Sequence, residues 1–137
     1  METLDILILG SGPAALCLAS ELAKQNLNIK GISTKSPYEK WENTYGIWAS
    51  ELEEFGLASL LSHRWSKTVS YFGDGIKDKG NSPTKHCYDY GLINQEAFQH
   101  ELLKTCKGIQ WLNETAKLIK SENKISEVIC SSGLKLK

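Results

Sequence analysis

The residues with the clearest chemical meaning form a glycine turn near the start of the chain, Gly10-Ser11-Gly12-Pro13-Ala14-Ala15. In a G-x-G-x-x-G/A pattern the first glycine permits a tight turn and the second lets the backbone approach a pyrophosphate. A small third residue, here Ala15, allows the helix to pack closely on the strand. Phosphates would lie at the helix N-terminus, where free N–H groups and the dipole favour negative charge. In a strand–helix–strand context the turn predicts a dinucleotide site, and without that context it is an ordinary tight turn.

The same fingerprint usually includes a carboxylate about 20 residues further on, which binds the ribose hydroxyls. Ser33 occupies that place, and the first acidic residue after it is Glu39. A serine hydroxyl cannot accept hydrogen bonds from both hydroxyls of a ribose as a carboxylate does. Lys35 would favour a 2′-phosphate and hence NADP, or it is an ordinary solvated loop lysine.

Other polar and aromatic groups have two interpretations each. Glu51, Glu53 and Glu54 would suit acid–base chemistry, but a solvated helix face is the simpler interpretation. His63-Arg64-Trp65 fits either an anion site or a clasp between loops. The aromatic segment between Tyr38 and Trp48 would line an apolar ligand cavity or form ordinary core.

The composition is that of an ordinary globular protein. The chain has 137 residues, 41% of them hydrophobic, and its 16 basic and 16 acidic residues give no net charge. This length fits one domain, and the charge balance argues against nucleic-acid binding. Apolar runs such as Ile6 to Leu9 are far below the ~18 residues of a spanning helix. With Glu2 and Asp5 in place of a basic leader, no secretory signal fits, and we expect a cytoplasmic protein.

The cysteines and histidines predict no metal site. The chain contains no C-x-x-C and no H-x-x-x-H spacing, which zinc sites commonly use. Four cysteines without such pairs suit the reduced thiols of a cytosolic protein. They are Cys17, Cys87, Cys106 and Cys130.

The pattern of elements predicts an α/β fold of Rossmann type. An apolar strand at Asp5–Leu9, a helix at Pro13–Asn26 and a strand at Ile29–Ile32 have the size of a βαβ unit. Ile109–Leu112 supplies a third parallel strand, and a β-meander follows at the C-terminal end. Its strands are Ala116–Lys120, Ile125–Cys130 and Leu134–Lys137.

Between the second and third parallel strands the sequence predicts helices at Glu51–Phe55, stopped by Gly56, and at Gln95–Cys106, capped by Asn94. Leu57–Leu61 adds a turn or two, and Ser33–Trp48 is irregular. The predicted β and loop segments are Thr68–Phe72, a Gly73-Asp74-Gly75 turn with a weaker strand after it, a polar loop at Lys77–Lys85, and a strand at Tyr88–Ile93.

Longer blocks of sequence resemble the start of plant and cyanobacterial lycopene cyclases. The most specific block is Trp41-Glu42-Asn43-Thr44-Tyr45-Gly46-Ile47-Trp48, followed by Glu51-Leu52-Glu53-Glu54-Phe55-Gly56-Leu57. His63-Arg64-Trp65, Val69–Phe72 and Tyr90-Gly91-Leu92-Ile93-Asn94 occur in matching order. The resemblance covers nearly the whole chain.

This resemblance implies a glutathione-reductase-like, FAD/NAD(P)-binding fold, of which residues 1–137 would be the N-terminal part. The implied reaction closes the ends of lycopene into β- or ε-ionone rings, an isomerisation that needs reduced FAD and draws on NADPH. Because lycopene is apolar, it also implies work at a membrane surface. Tyr45, Gly46 and Trp48 become candidates for the wall of the carotenoid or flavin cavity.

The chain departs from the family pattern at three positions. Ser33 replaces an aspartate, and Leu92 and Gln95 stand where arginines are common. Since charge-assisted hydrogen bonds contribute ~1.5–3 kcal/mol each, we expect FAD binding to be weak or lost. The family's later flavin-contact strand and acidic motif do not occur before Lys137, so we expect an incomplete domain with no assignable catalytic residue. The alternatives are a non-catalytic nucleotide-binding remnant or interaction module, and part of another FAD-dependent monooxygenase or reductase.

Overall fold

The computed structural model describes residues 3–71 and 83–137. The strands, in chain order, are β1 (Ile6–Leu9), β2 (Ile29–Ser33), β3 (Gly46–Trp48), β4 (Leu61–Trp65), β5 (Val69–Ser70), β6 (Thr84–Lys85), β7 (Tyr90–Ile93), β8 (Gln110–Asn113), β9 (Ala116–Glu122), β10 (Ile125–Cys130) and β11 (Lys135–Leu136). The helices are α1 (Pro13–Leu22), α2 (Ala49–Glu54) and α3 (Gln95–Thr105), with single 3₁₀ turns at Ala58–Leu60 and Cys106–Gly108. The predicted Gly73-Asp74-Gly75 turn and the strand after it lie outside the described residues.

The chain forms two compact units. One contains Met1–Trp41 together with Gln99–Lys137, and the other is the continuous stretch Glu42–Phe98. Both mix strands with helix, which confirms the α/β class.

A parallel three-stranded sheet, in the order β1-β2-β8, organises the first unit. All three strands were expected from their short apolar runs, and both pairings are parallel. The sheet is covered on both faces, as parallel sheets usually are. One buried cluster joins it to α1 and the turn after α3, and the other joins it to the meander. The first consists of Ile8, Ala19, Ile29, Cys106 and Ile109, and the second of Ile32, Val128, Cys130 and Leu136.

The predicted meander is confirmed as an antiparallel sheet in the order β11-β10-β9. Its end lies beside the start of the chain, because the N–H of Leu4 donates to the carbonyl of Lys137 at 2.7 Å. The meander therefore leads back to the residues just before β1.

Helix α1 is shorter than expected. It ends at Leu22 rather than Asn26. After it, Lys24 and Gln25 donate to the carbonyls three residues earlier, which is turn geometry rather than α-helix. The physical reason is that the apolar positions that α1 buries stop at Ala23, and the segment beyond is exposed.

In the second unit, β3-β7-β4 form an antiparallel sheet. Strands β3 and β4 were not expected, because their pairing with β7 links residues far apart in the sequence. The predicted strand at Thr68–Phe72 is reduced, among the described residues, to β5, which pairs with β6 inside the predicted polar loop. The predicted strand at Tyr88–Ile93 begins at Tyr90.

The helix boundaries in the second unit follow the expected capping residues. Gly56 has φ +70°, and its N–H and that of Leu57 donate to Glu53 and Leu52, the pattern that ends a helix with a left-handed residue. At the start of α3, the Asn94 side chain accepts the N–H of Ala97 at 3.1 Å. The helix end at Gly56 and the helix start at Asn94 could be predicted from the sequence because capping involves neighbouring residues only.

Candidate functional site

The glycine turn joins β1 to α1 in the first unit. Gly10 has φ +102°, a left-handed conformation that favours glycine. Its N–H donates to the carbonyl of Ile32 at 2.7 Å, so the first residue of the turn is still hydrogen-bonded to β2. The turn therefore requires a glycine at this first position for conformational reasons.

Gly12 is the N-cap of α1 and leaves the helix N-terminus open. Its φ of −76° and ψ of 178° are extended, and no side chain caps the helix. Pro13 is the first helical residue, where its missing N–H costs nothing. A β-carbon built on Gly12 would meet no atom within 4 Å. The N–H groups of Ala14 and Ala15, in the first turn, have no intrahelical acceptor, so an anion can approach the backbone here.

Ser33, at the end of β2, is brought to the turn. Its hydroxyl lies 2.8 Å from the hydroxyl of Ser11 and accepts the N–H of Lys35 at 3.3 Å. The Ser11 hydroxyl is also 3.3 Å from the carbonyl of Lys35. Where a carboxylate would offer a ribose two acceptor oxygens, this chain presents a pair of hydroxyls. All seven nucleotide-site candidates thus lie at one corner of the first unit: Gly10, Ser11, Gly12, Pro13, Ala14, Ala15 and Ser33.

Two further residues support this corner, and the sequence did not single them out for it. The buried Trp41 donates from Nε1 to the carbonyl of Ser11 at 2.9 Å. The buried Gln99 donates to the carbonyls of Pro37 and Glu39, each at 2.7 Å. Together they fix the segment between β2 and Trp41. The one sequence signal that could have identified this support is the polar Gln99 among the apolar positions of a helix.

The aromatic candidates lie in the second unit. Tyr45 accepts the N–H of Ile93 with its carbonyl at 2.9 Å. Trp48 is surrounded by rings, with centroids 5.0 Å from His86, 6.1 Å from Tyr88 and 5.6 Å from Tyr90.

Tyr90 occupies the centre of this aromatic surface. It pairs with Trp48 on β3 and Trp65 on β4, so the three residues form one row across the sheet. Gly46 lies beneath the Tyr90 ring, which a β-carbon at that position would strike. Tyr90 and Trp65 are 39% and 44% exposed, so the row is a partly open surface rather than closed core. Neither residue was a candidate for the aromatic cavity from the sequence, where Trp65 belonged to the possible anion site His63-Arg64-Trp65.

Arg64 joins two segments of the second unit through ion pairs, in agreement with the interpretation of His63-Arg64-Trp65 as a clasp. Its Nε donates to Asp89 Oδ2 and its Nη1 to Glu53 Oε1, each at 2.6 Å. These two carboxylates raise the pKa of the guanidinium, with the Asp89 hydrogen bond contributing most. Glu53 is therefore an ion-pair partner within the second unit rather than only part of a solvated face. With two carboxylates bound, Arg64 has little charge to offer an anion.

Gln95, one of the departures from the family pattern, has a structural contact of its own. Its side-chain amide donates to the carbonyl of Asn43, in the segment that leads to β3. Leu92 pairs with Gly46 in the β3–β7 ladder.

Residues 3–71 and 83–137 are those that the structure describes, and their cysteine thiols differ in burial. Burial raises the pKa of the thiols of Cys17, Cys106 and Cys130, which makes them poor nucleophiles. Within those ranges no group of three or more His, Cys, Asp or Glu side chains could hold a metal ion. Nor does any helix in the described part of the chain have the length and apolar character needed to cross a membrane.

The fold has counterparts among solved monooxygenase structures. A probable FAD-dependent monooxygenase from Pseudomonas aeruginosa matches 99% of this chain with a TM-score of 0.60 at 16% identity, over 40% of its own chain. p-Nitrophenol 4-monooxygenase from Pseudomonas putida matches 99% of this chain with a TM-score of 0.61 at 18% identity, over 39% of its own. At such low identity these likenesses establish the Rossmann-type fold alone.

Residues 5–137 match the family model for lycopene cyclase protein, so the chain belongs to the lycopene cyclase family. It is 42% identical over 134 residues to a lycopene beta cyclase of Synechococcus elongatus, covering 96% of this chain and 31% of the relative. It is 30% identical over 137 residues to a chloroplastic lycopene beta cyclase of Arabidopsis thaliana, covering 98% of this chain and 26% of the relative. The chain thus spans less than a third of the length of these curated relatives.

Proposed function

We propose that this chain is the nucleotide-binding part of a lycopene cyclase and serves carotenoid biosynthesis, in which the ends of linear lycopene are closed into β- or ε-ionone rings. The observation that carries the proposal is the open, uncapped N-terminus of α1 behind Gly12. Membership of the family supplies the reaction.

FAD is the proposed cofactor, and its pyrophosphate would bind the turn from Gly10 to Ala15. Gly12 leaves room for the phosphates, and the first-turn N–H groups would donate to them. Ser11 and Ser33 would face the adenosine ribose with hydroxyl groups alone, so we expect weaker binding than a carboxylate would give. When bound and reduced, with NADPH as the source of electrons, the flavin would stabilise charge during ring closure.

The aromatic row is the proposed apolar wall. Tyr45, Gly46 and Trp48 were candidates for a carotenoid or flavin cavity, and the partly exposed rings of Tyr90 and Trp65 extend the same surface. Flat aromatic faces suit a conjugated polyene or an isoalloxazine ring. A lycopene substrate would reach such a surface from a membrane, which makes peripheral membrane contact part of the proposal.

A direct titration tests the nucleotide site. Purified chain is added to FAD, and flavin fluorescence and fluorescence anisotropy are followed. Saturable binding that Gly12→Ala weakens supports the site, while equal binding by both proteins contradicts it. The corresponding cellular test expresses the chain in lycopene-accumulating cells, where we expect the pigment to stay linear because the chain spans less than a third of its curated relatives.

The Ser11–Ser33 hydroxyl pair favours one alternative, a nucleotide-binding remnant or interaction module without a flavin. The same titration discriminates the two. Binding of an adenine nucleotide such as ADP without binding of FAD would favour the remnant.

A further inference from the structure

The two-stranded ribbon formed by β5 and β6 lies against the aromatic row of the second unit. The Ser70 hydroxyl is 2.8 Å from Nε2 of His86, and the His86 ring centroid is 5.0 Å from that of Trp48. The N–H of His86 also donates to the carbonyl of Thr68 at 2.9 Å, which extends the pairing of the two strands. One face of the ribbon, the inner face, therefore contacts the proposed apolar wall.

The other face of the ribbon, the outer face, carries exposed apolar side chains. Val69 lies opposite Lys85 in the ladder, so these two side chains share a face. Because successive side chains of a strand alternate, this is the face away from Ser70. Val69 is 47% exposed, and Tyr71, two residues further on, is 66% exposed. Tyrosine, with an apolar ring and a polar hydroxyl, is enriched where proteins meet the membrane–water interface.

The ribbon is also positively charged. Its described residues, 67–71 and 83–88, contain Lys67 and Lys85 and no acidic residue. The acidic residue that follows them, Asp89, is bound to Arg64 at 2.6 Å. A bilayer with anionic lipids attracts each lysine near its surface, which strengthens binding by about fivefold per lysine. Exposed apolar side chains beside lysines therefore match the surface of such a bilayer.

The meander offers a useful contrast, because it exposes apolar side chains in a different charge environment. Leu118 and Ile119 on β9 are 46% and 53% exposed. Lys120 of the same strand lies opposite Glu127 of β10, and β9 ends at Glu122. Opposite charges in facing positions attract one another. The charges around these apolar residues are thus mixed, whereas those of the described ribbon are all positive.

We propose that the outer face of the ribbon docks on a bilayer that contains anionic lipids. The inference rests on the proposed function, in which a carotenoid reaches the aromatic row from a membrane, and it adds the side chains and the lipid charge that make the contact. Docking would place the bilayer on one side of the ribbon and Trp48 on the other, since His86 on the inner face contacts Trp48. The ribbon would then lie at the entrance for an apolar substrate.

Flotation with lipid vesicles tests the docking. The full chain is mixed with vesicles of phosphatidylcholine alone or of phosphatidylcholine with phosphatidylglycerol, without flavin or carotenoid, and centrifuged through a density gradient. We expect the chain to float with the vesicles that contain phosphatidylglycerol, to float less with phosphatidylcholine alone, and to be partly released by high salt. Flotation distinguishes binding from aggregation, because aggregates sediment.

Matched variants locate the charged part of the contact. The double variant Lys67→Gln/Lys85→Gln should lower the partition coefficient for anionic vesicles by about twentyfold, since two lysines are removed. The control, Lys117→Gln/Lys120→Gln, removes two exposed lysines from β9 and should leave partitioning nearly unchanged. Equal losses with both double variants would show that the overall charge of the chain, rather than the ribbon, attracts the vesicles.

A second pair of variants locates the apolar part. Val69→Ser/Tyr71→Ser should lower partitioning by about tenfold, because these side chains would no longer transfer apolar surface from water. Leu118→Ser/Ile119→Ser removes exposed apolar surface from the meander and should have little effect. All four positions are exposed, so we expect both proteins to fold. A larger loss with the meander pair would contradict docking through the ribbon.

A fluorescent label gives a readout that does not depend on affinity. Cys87 is exposed and lies two residues after Lys85. An environment-sensitive label on Cys87 should shift to shorter wavelength when anionic vesicles are added. The same label on Ser121→Cys, in a chain that also carries Cys87→Ser, should not shift. A shift at the meander position alone, or of equal size at both, would overturn the proposal.

Two further outcomes would also reject docking on lipid. Absence of flotation with either vesicle would do so, as would a doubled mass in solution that Val69→Ser/Tyr71→Ser abolishes, because a second copy would then occupy the outer face. Neither outcome bears on the nucleotide site, which the FAD titration tests without lipid.

Discussion

The hydroxyl groups of Ser11 and Ser33 lie 2.8 Å apart, across the gap between the glycine turn and the end of β2. This contact occupies the place where the dinucleotide fingerprint has a carboxylate. In the proposed nucleotide site an adenosine ribose would meet this pair of hydroxyls, and a substitution at Ser33 tests that contact.

Ser33→Asp should tighten FAD binding. An aspartate offers two charged acceptor oxygens to the ribose, and exchanging a neutral for a charge-assisted hydrogen bond is worth about 1 kcal/mol, or roughly fivefold to tenfold in Kd. The measurement is the FAD titration described above. Ser121→Asp is the matched control, because Ser121 forms a similar hydroxyl pair with Ser126 at 2.8 Å in the meander. A gain in affinity with both variants, or with neither, would count against a ribose contact at Ser33.

Gly12→Ala should weaken nucleotide binding without loss of stability. The new β-carbon meets no protein atom and the backbone is already extended, so the fold can accept it. It would occupy the space that the phosphates need, and we expect at least about a tenfold loss of affinity. The control is Gly108→Ala, where a β-carbon also meets nothing. Thermal unfolding together with the titration checks both, and an unstable Gly12→Ala protein would contradict the expectation.

Gly31→Ala should destabilise the first unit. Gly31 pairs with Trp111 across the parallel sheet, and the indole ring covers the space that a β-carbon would need. Overpacking of this kind typically costs ~1–3 kcal/mol. Denaturant unfolding measures it. The double variant Gly31→Ala/Trp111→Leu should lose less stability than the two single variants added together, and simple additivity would exclude steric conflict as the cause.

Alkylation should distinguish the cysteines by burial. Cys87 is exposed, whereas burial raises the pKa of the Cys17, Cys106 and Cys130 thiols. With iodoacetamide at pH 8 we expect one fast modification, at Cys87, and three slow ones that become fast in denaturant. Mass spectrometry of the modified peptides identifies the order of reaction. Fast modification of Cys106 in the folded protein would contradict the buried core around it.

The same raised thiol pKa values imply a pH dependence of stability. The folded chain keeps these protons at a pH where the unfolded chain releases them, so the free energy of unfolding falls as pH rises above about 8.5, the ordinary thiol pKa. Replacing Cys17, Cys106 and Cys130 by alanine should flatten this alkaline decline. If the free energy of unfolding of this variant fell with pH as steeply as that of the unaltered chain, the decline would come from other groups.

Arg64→Ala should lower the unfolding temperature of the second unit more than Lys24→Ala lowers that of the first. Arg64 joins two carboxylates that are distant in the sequence, Glu53 and Asp89. Lys24, among the residues that the structure describes, pairs with the single carboxylate of Glu21, three residues earlier. Both effects should shrink in high salt, because the pairs are solvent-exposed. Thermal unfolding at two salt concentrations is the measurement. Equal small effects would show that the clasp contributes little to the unit.

The parts of the fold that the sequence predicted are those with strong local signals. Short apolar runs marked β1, β2 and β8, and turn residues marked the meander. Asn94 and Gly56 marked helix ends because a cap involves neighbouring residues only.

The unexpected parts depend on contacts between distant residues. The strand that contains Arg64 is almost entirely exposed and carries no alternation, so only its pairing with β7 defines it. The support that Trp41 and Gln99 give to the glycine turn likewise depends on tertiary contacts. The turn itself was predictable because its glycines follow from local geometry, whereas the roles of Ser33 and Trp48 stay predictions.

The pairing of β2 with β8, in which Lys30 lies opposite Gln110, has a consequence for synthesis on the ribosome. The stretch Glu42–Phe98 is continuous in the sequence and leaves the ribosome before β8. It can therefore begin to fold before β8 is available to pair with β2. Long-range parallel pairing is slow to form. We therefore expect the first unit, while its sheet is incomplete, to depend on chaperones until residue 113 has left the exit tunnel.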